Sequence, residues 1–412
     1  MPLFAAADLD PNAVRVHLIK DTSLNAFVAG GPHIFFSTGL LTRSESPGQI
    51  IGVIAHEVGH IAGGHLVRLR EQLENASTVA ILSAVLGAAA AVVTREGGAG
   101  AAIVLGGVDA ANRNLLQYTR TQESSADQFA VTALDRTGQS AQGLLDLLEI
   151  MSDQEALNAA RQDPYLRSHP LTRDRINFIQ QHVQHSPFSS TKVTADLIER
   201  HNRMRAKLDG FLDSPARTLQ RYKETDRSFA ARYARAIAFY RIPDLGRALP
   251  AIDALIADEP QNPFLYELKG QMLFENGRAS EAVAPLREAN RLAPDAATIT
   301  VALAQAVTEL DKTDAFPEMV TLLTRAVRDE PDNAFGWRLL GITYGRMGNI
   351  GMASLALAEA AHLLGDRAAA IAQATRAVEL LPAGSPGSLR AEDIRHLAER
   401  ERARERARDR SR

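Results

Sequence analysis

Apolar and polar positions follow a helical period over residues 49–61. The apolar side chains recur three or four positions apart, as in a helix that lies against a core; they are Ile50, Ile51, Val53, Ile54, Val58 and Ile61. Three ionisable residues interrupt this pattern: His56, Glu57 and His60. Because residues four apart are neighbours on a helix surface, the two imidazoles can point at one atom. The pattern predicts an apolar helix that carries a polar cluster.

A zinc peptidase needs two neutral nitrogens for the ion and a carboxylate that takes a proton from water. His56 and His60 supply the nitrogens, and Glu57 is rotated off the ligand direction. The alternative is a chance Glu between two surface histidines. An apolar helix disfavours this alternative, because unpaired His and Glu are costly to bury. We predict His56 and His60 as metal ligands and Glu57 as the general base.

A third ligand must come from another segment, because a catalytic zinc usually has three protein ligands. Glutamates further along the same predicted helix are too distant, and His65 is offset around it. Glu123 is the better candidate, since small residues follow it and let two helices approach closely. Asp127, four positions on, faces the same way and can accept the free ring N–H of a ligating histidine. From spacing alone, a solvated helix face remains an equal alternative.

Two other stretches have recognisable patterns. Residues 14–20 read as a strand. Residues 78–93 and 99–108 are apolar and are separated by a charged, glycine-rich turn, so 78–108 reads as a helical hairpin. Neither half reaches the roughly 20 residues that span a bilayer. The hairpin either packs as core against the catalytic helices or contacts a membrane or partner.

From residue 226 the chain repeats with a period of about 34 residues, which is typical of tetratricopeptide repeats. We predict a linker helix at 206–225, a repeat domain at 226–385 and a charged helix or tail at 386–412. A generic helical bundle is the alternative. Repeats of this kind stack into a concave solenoid that binds polypeptide. The template positions are Gly270, Ala282, Leu286, Ala289 and Pro294, then Trp337, Gly341, Tyr344, Ala353, Leu357 and Ala360.

The amino-acid composition limits which metal ligands and binding partners are possible. The 412 residues are 45% hydrophobic, which supports globular cores. The formal net charge of −3 gives no basic field for nucleic acid. Cysteine is absent, which excludes thiolate ligands and disulfides. Any metal must therefore be held by His, Glu and Asp.

These motifs resemble the CAAX prenyl protease and HtpX-type zinc metallopeptidases, and the soluble members with helical repeats match best. The resemblance rests on His56–His60, Glu123–Asp127 and the upstream Asn25–Phe27. It covers about 12–180 by motif and the rest by architecture. It implies one Zn²⁺ per chain, with Glu123 as third ligand. It also implies an α+β, mostly helical chain: a zincin-type metallopeptidase domain over 1–205 with a small β-sheet, then an α-solenoid.

The resemblance suggests further roles upstream and downstream. Asn25, Ala26 and Phe27 would lie at a strand edge that faces substrate, where an added peptide gains main-chain hydrogen bonds. An ordinary turn-forming Asn25 is the alternative. His169 would hydrogen-bond the oxyanion or occupy the metal's open position at rest. Alternatively it is a helix-start residue ahead of a proline. The sequence leaves open whether Arg173 or Arg175 is a salt-bridge partner near the site.

The expected function is that of a bacterial envelope protease that degrades stalled or misfolded outer-membrane proteins. The expected location is the periplasm, with a signal peptide that is absent from this chain and presumed removed or truncated. The expected partners are unfolded polypeptides, an outer-membrane assembly complex that binds the repeats, and a membrane surface at 78–108. The alternatives are a chaperone-like adaptor with a latent protease and, less favoured, a cytoplasmic-membrane protease.

Overall fold

The computed structural model describes residues 2–65, 68, 119–155, 169, 171–310 and 313–410. The chain divides into two units, Met1–Leu212 and Asp213–Arg412. The predicted hairpin at 78–108 lies outside the described residues. The predicted domain boundaries near 205, 225 and 385 remain predictions.

The first unit contains a three-stranded sheet formed by β1 (Arg15–Ile19), β2 (Ala26–Val28) and β3 (His33–Ser37). The strand order is β1-β3-β2, with β1 parallel and β2 antiparallel to β3. Gly30 and Gly31 have φ of 67° and 108°, a left-handed conformation that glycine adopts without a Cβ clash. They let the chain reverse between β2 and β3. Among the described strands, β2 has β3 as its one neighbour and so forms a sheet edge.

The described helices of the first unit are α1 (Pro2–Ala6), α2 (Thr38–Arg43), α3 (Pro47–Ala62), α4 (119–136), α5 (Gln142–Glu155), α6 (Arg173–His185) and α7 (Ala195–Leu212). Of these, α2 and α3 contact the sheet. Helix α3 begins where Ser46 caps it by accepting a hydrogen bond from the Gln49 N–H, and Pro47 fits its first turn. Its buried face includes Val53, Ala55 and Val58, which belong to the core of this unit.

Close helix packing fixes the position of α3. A Cβ on Gly59 would lie 2.8 Å from the Ala126 carbonyl oxygen, so α3 and α4 touch backbone to backbone there. A Cβ on Gly52 would lie 2.7 Å from Leu144, where α3 meets α5. The glycines in α3 thus allow approaches that no side chain would permit. The close approach of the Glu123 helix, expected from its small residues, is present at Ala126.

The second unit consists of consecutive helix pairs: α8 (Pro215–Arg221), α9 (Phe229–Arg241), α10 (Leu245–Asp258), α11 (Pro263–Glu275), α12 (Ala279–Leu292), α13 (Ala297–Glu309), α14 (Phe316–Asp329), α15 (Ala334–Arg346), α16 (Ile350–Leu363), α17 (Arg367–Leu380) and α18 (Pro386–Arg410). A 3₁₀ turn at Thr313–Ala315 precedes α14.

The repeat template has a direct packing basis in these pairs. A Cβ on Gly270 of α11 would lie 2.4 Å from Leu286 of α12, and one on Gly341 of α15 would lie 2.8 Å from Leu357 of α16. The two glycine–leucine pairs are 71 residues apart and make the same contact. The predicted fold class, a mostly helical α+β chain with a small sheet and a following helical solenoid, is confirmed. No helix in the described part of the chain is long and apolar enough to cross a bilayer.

Candidate metal centre

Two helices bring three predicted ligands together. Helix α3 presents His56 and His60, whose Nε2 atoms lie 3.1 Å apart. Helix α4 presents Glu123, whose carboxylate oxygens lie 3.3 Å from each of these nitrogens. Tetrahedral donors about 2.0–2.1 Å from one ion are about 3.3 Å from each other. The three side chains therefore have the mutual spacing of a ligand set.

His169 is the fourth member of the cluster. Its Nδ1 lies 3.3 Å from His56 Nε2 and 3.1 Å from Glu123 Oε1. The next helix, α6, begins at Arg173 with Thr172 as its cap, so His169 precedes the helix instead of starting it. One potential ligand atom from each of the four buried residues lies within 4.8 Å of all the others. Three imidazoles and one carboxylate suit a borderline-soft divalent cation.

A buried ion pair stands behind the ligand cluster. Asp127 Oδ1 lies 2.9 Å from Nδ1 of His56, the ring nitrogen that points away from the cluster. Arg175 holds Asp127 through Nε at 2.6 Å and Nη2 at 3.0 Å, and its Nη1 lies 2.9 Å from Glu123. Of the two arginines that the sequence left open, Arg175 is the one at the site. One guanidinium thus fixes two carboxylates at once.

The electrostatics of the cluster favour ionised carboxylates. Burial opposes the charge of Glu123, but His169, His56 and His60 hold the pKa of its carboxyl well below its usual value. Burial likewise opposes the charge of Asp127, and Arg175 and His56 lower the pKa of that carboxyl. Burial also opposes protonation of His56, yet the two acids together raise the pKa of its imidazole to about 10. A cation that binds here takes the place of that proton.

Glu57 is buried, and neither of its carboxylate oxygens has a hydrogen-bond partner among the described residues. The imidazole of His169 lies beside it, with Nε2 3.6 Å from Oε1 of Glu57. A buried carboxylate without a partner is costly. The cost is understandable if water or a substrate group occupies the space beside it.

The predicted substrate residues lie on β2 and just before it. Asn25 is tied to β3, because its backbone N–H donates to Ser37 Oγ at 3.0 Å and its carbonyl accepts from the Ser37 N–H at 2.9 Å. Its side-chain Oδ1 is buried and has no hydrogen-bond partner in the described part of the chain. Ala26 and Phe27 pair with Phe36 and Phe35 of β3. The side of β2 opposite β3 is the edge of the described sheet, and β2 contacts α3.

Comparison with known proteins agrees with this geometry. Residues 2–183 match peptidase family M48. Together with the buried His-His-Glu-His cluster, this match makes the chain a metalloprotease whose first unit is similar to the M48 peptidases. The predicted resemblance to metallopeptidases of this type is confirmed, and so is the predicted enzyme class of metalloprotease.

The similarity extends beyond the peptidase domain. A relative from Vibrio cholerae is 26% identical over 388 residues, with 93% of this chain and 79% of the relative covered. The beta-barrel assembly-enhancing protease of Escherichia coli strain K12 is 25% identical over 412 residues, with 97% of this chain and 82% of the relative covered. Metalloprotease YcaL of the same strain is 27% identical over 174 residues, covering 42% of this chain and 63% of YcaL.

Proposed function

We propose that this chain is a zinc-dependent endopeptidase of the bacterial cell envelope. One observation carries the catalytic part: the orphaned, buried carboxylate of Glu57 lies beside a ligand-spaced cluster of His56, His60 and Glu123. Zn²⁺ suits these nitrogen and oxygen donors, and when bound it polarises a carbonyl and lowers the pKa of water. One ion per chain satisfies the cluster.

In this proposal Glu57 takes the proton of the attacking water and passes it to the leaving amine. Among the described residues, no group donates a hydrogen bond to the carboxylate oxygens of Glu57, so both can accept from water. Arg175 and Asp127 would keep His56 oriented toward a bound ion. We assign His169, whose Nε2 lies 3.6 Å from Glu57 Oε1, the role of stabilising charge that develops on the carbonyl oxygen.

The edge of β2 that no described strand pairs with is the proposed substrate platform. An extended polypeptide can add to this edge next to α3, with hydrogen bonds to the main chain of Ala26–Val28. The buried, unpartnered amide oxygen of Asn25 is an additional acceptor for a substrate N–H. Binding through main-chain groups suits a protease that acts on unfolded chains of varied sequence.

The biological setting is proposed from the relatives. Two of the most similar proteins span most of this chain, and the Escherichia coli one is named for enhancing beta-barrel assembly. We place this chain in the periplasm, where it would act on unfolded or stalled outer-membrane proteins. The helical repeats of the second unit would bind such substrates or an assembly complex, because stacked helix pairs form extended binding surfaces.

A specific observation also supports a latent form of the enzyme. His169 Nδ1 is at ligand spacing from both His56 and Glu123, the position a fourth donor would take. A histidine there would fill the coordination position that water needs. In this second candidate the chain is chaperone-like until His169 moves away.

The test is zinc content and cleavage of an unfolded outer-membrane protein by three full-length proteins: wild type, Glu57→Gln and His169→Ala. The proposal expects one zinc in wild type and Glu57→Gln, with cleavage by wild type alone of these two. Faster cleavage by His169→Ala would favour the latent form, and slower cleavage would favour oxyanion stabilisation. Equal cleavage by wild type and Glu57→Gln would contradict the catalytic assignment.

A further inference from the structure

His65 lies directly behind a predicted metal ligand. Its Nδ1 is 3.0 Å from His60 Nδ1, the ring nitrogen of His60 that points away from the ligand cluster. The two rings meet edge to face, with centroids 5.0 Å apart and planes at 81°. Within the described residues, no other hydrogen bond reaches His60 Nδ1. Among the described residues, His65 therefore determines whether His60 Nδ1 donates or accepts a hydrogen bond.

The chain bends to put His65 there. Helix α3 ends at Ala62, and Gly64 has a φ of 62°, which glycine accommodates readily. A Cβ on Gly63 would come within 2.3 Å of His65 Nε2, so this glycine leaves room for the ring. The carbonyl of His65 accepts a hydrogen bond from Gln122 Nε2 at 3.1 Å. Because Gln122 precedes Glu123, His65 is tied to the helix that supplies the third predicted ligand.

The proton positions follow from the contact. An imidazole that ligates through the Nε2 lone pair carries its proton on Nδ1 and donates it. The acceptor at 3.0 Å is a nitrogen, so His65 must be neutral, with a lone pair on Nδ1 and its own proton on Nε2. The two predicted histidine ligands thus differ. His56 has a carboxylate behind it, Asp127 Oδ1 at 2.9 Å, whereas His60 has a neutral imidazole.

We propose that His65 is a positioning residue, which accepts the Nδ1–H of His60 and thereby turns the His60 Nε2 lone pair toward the metal. The inference rests on the proposed zinc site. It assigns His65 no contact with substrate and no place among the ligands. A neutral acceptor orients His60 without adding another negative charge beside the buried Glu57, Glu123 and Asp127.

Two substitutions separate this role from simple packing, because one keeps the acceptor and the other keeps the volume. In His65→Asn the amide Oδ1 is attached at the same carbon position as the histidine Nδ1, so it can accept the same proton. In His65→Leu the acceptor is lost and the volume is kept. Gly63→Ala is a second probe, because its methyl group would displace the His65 ring while φ at Gly63 is an ordinary −73°.

The experiment measures zinc affinity by competition with a chromophoric chelator, and the absorption spectrum of the cobalt-substituted protein, for each full-length variant. His65→Leu and Gly63→Ala are expected to bind zinc about 10- to 100-fold more weakly, with altered cobalt bands. His65→Asn is expected to lose less than about tenfold and to keep the wild-type cobalt bands. Thermal unfolding of the metal-free proteins checks that each variant is folded.

The zinc affinities of the variants distinguish the positioning role of His65 from the proposed function itself. Equal zinc affinity in the asparagine and leucine variants, whether both match wild type or both are equally weakened, would overturn the positioning role. If the leucine variant fails to fold, the contrast between Gly63→Ala and His65→Asn gives the same decision. A wild type that binds no zinc would overturn the proposed function itself, whereas normal zinc binding by His65→Leu would overturn only this inference.

Discussion

Replacing Gly59 by alanine should loosen the metal centre without touching a ligand. A Cβ at this position would lie 2.8 Å from the carbonyl oxygen and 3.0 Å from the Cα of Ala126. Both are backbone atoms, so the two helices must separate by a few tenths of an ångström. Ala126 is three residues after Glu123 on the same helix, and Glu123 Oε1 is 3.3 Å from His60 Nε2. The separation therefore moves one predicted ligand away from the others.

Opposing energies set the size of the effect. Overpacking costs typically about 1–3 kcal/mol, and alanine regains about 0.5–1 kcal/mol of helix propensity over glycine. We expect a net loss of about 1 kcal/mol in the free energy of unfolding. For zinc we expect about tenfold weaker affinity, equivalent to about 1.4 kcal/mol. Urea unfolding of the metal-free protein and chelator competition measure the two quantities.

Gly48 provides a matched control in the same helix. The nearest atom to a Cβ there is Ser46 Oγ at 3.5 Å, an ordinary contact. Gly48→Ala should therefore leave zinc affinity unchanged. Wild-type zinc affinity in folded Gly59→Ala, or an equal loss of affinity in both alanine variants, would contradict this expectation.

Three further predictions concern other parts of the chain. Burial lowers the pKa of His201 to about 4, below the roughly 6.5 of an unfolded chain, so the unfolded state binds more protons between these values. Stability should therefore fall as pH drops from about 6.5 to 4, and His201→Gln should flatten this dependence in urea titrations. Gly270→Ala should lower the thermal midpoint, because its Cβ would lie 2.4 Å from buried Leu286, whereas Gly345→Ala, with 3.8 Å of space, should not. Arg175→Lys should weaken zinc binding in the chelator assay, because lysine cannot hold two carboxylates with one planar fork; unchanged affinity would contradict this.

Much of the fold was predictable because local patterns match the tertiary contacts. The apolar period over residues 49–61 predicted a helix, and α3 covers Pro47–Ala62. The repeat template placed glycine and leucine at Gly270 and Leu286, and these two residues touch. The sheet order β1-β3-β2 was not predictable, because it depends on a parallel pairing between strands that are not consecutive.

The parts of the candidate site that lie on one helix were predictable from residue type and spacing. The contacts between segments far apart in the sequence were less predictable. The i, i+4 spacing of His56 and His60 on a helix suffices to bring the imidazoles together. The choice of Arg175 over Arg173 depends on which side of α6 faces Asp127, and this follows from packing. The offset of His65 around the helix argues against a ligand role. Its contact with His60 depends on the bend at Gly63 and Gly64, and that pair of glycines was the available signal.

The central claim is that His56, His60 and Glu123 hold one zinc ion beside Glu57. The most direct measurement is anomalous X-ray diffraction at the zinc edge from crystals of the zinc-loaded protein. We predict one strong peak per chain, about 2.0–2.1 Å from Nε2 of each histidine and about 2.0–2.2 Å from a Glu123 oxygen. A peak elsewhere in the chain, or zinc-loaded crystals without a peak at this cluster, would contradict this claim.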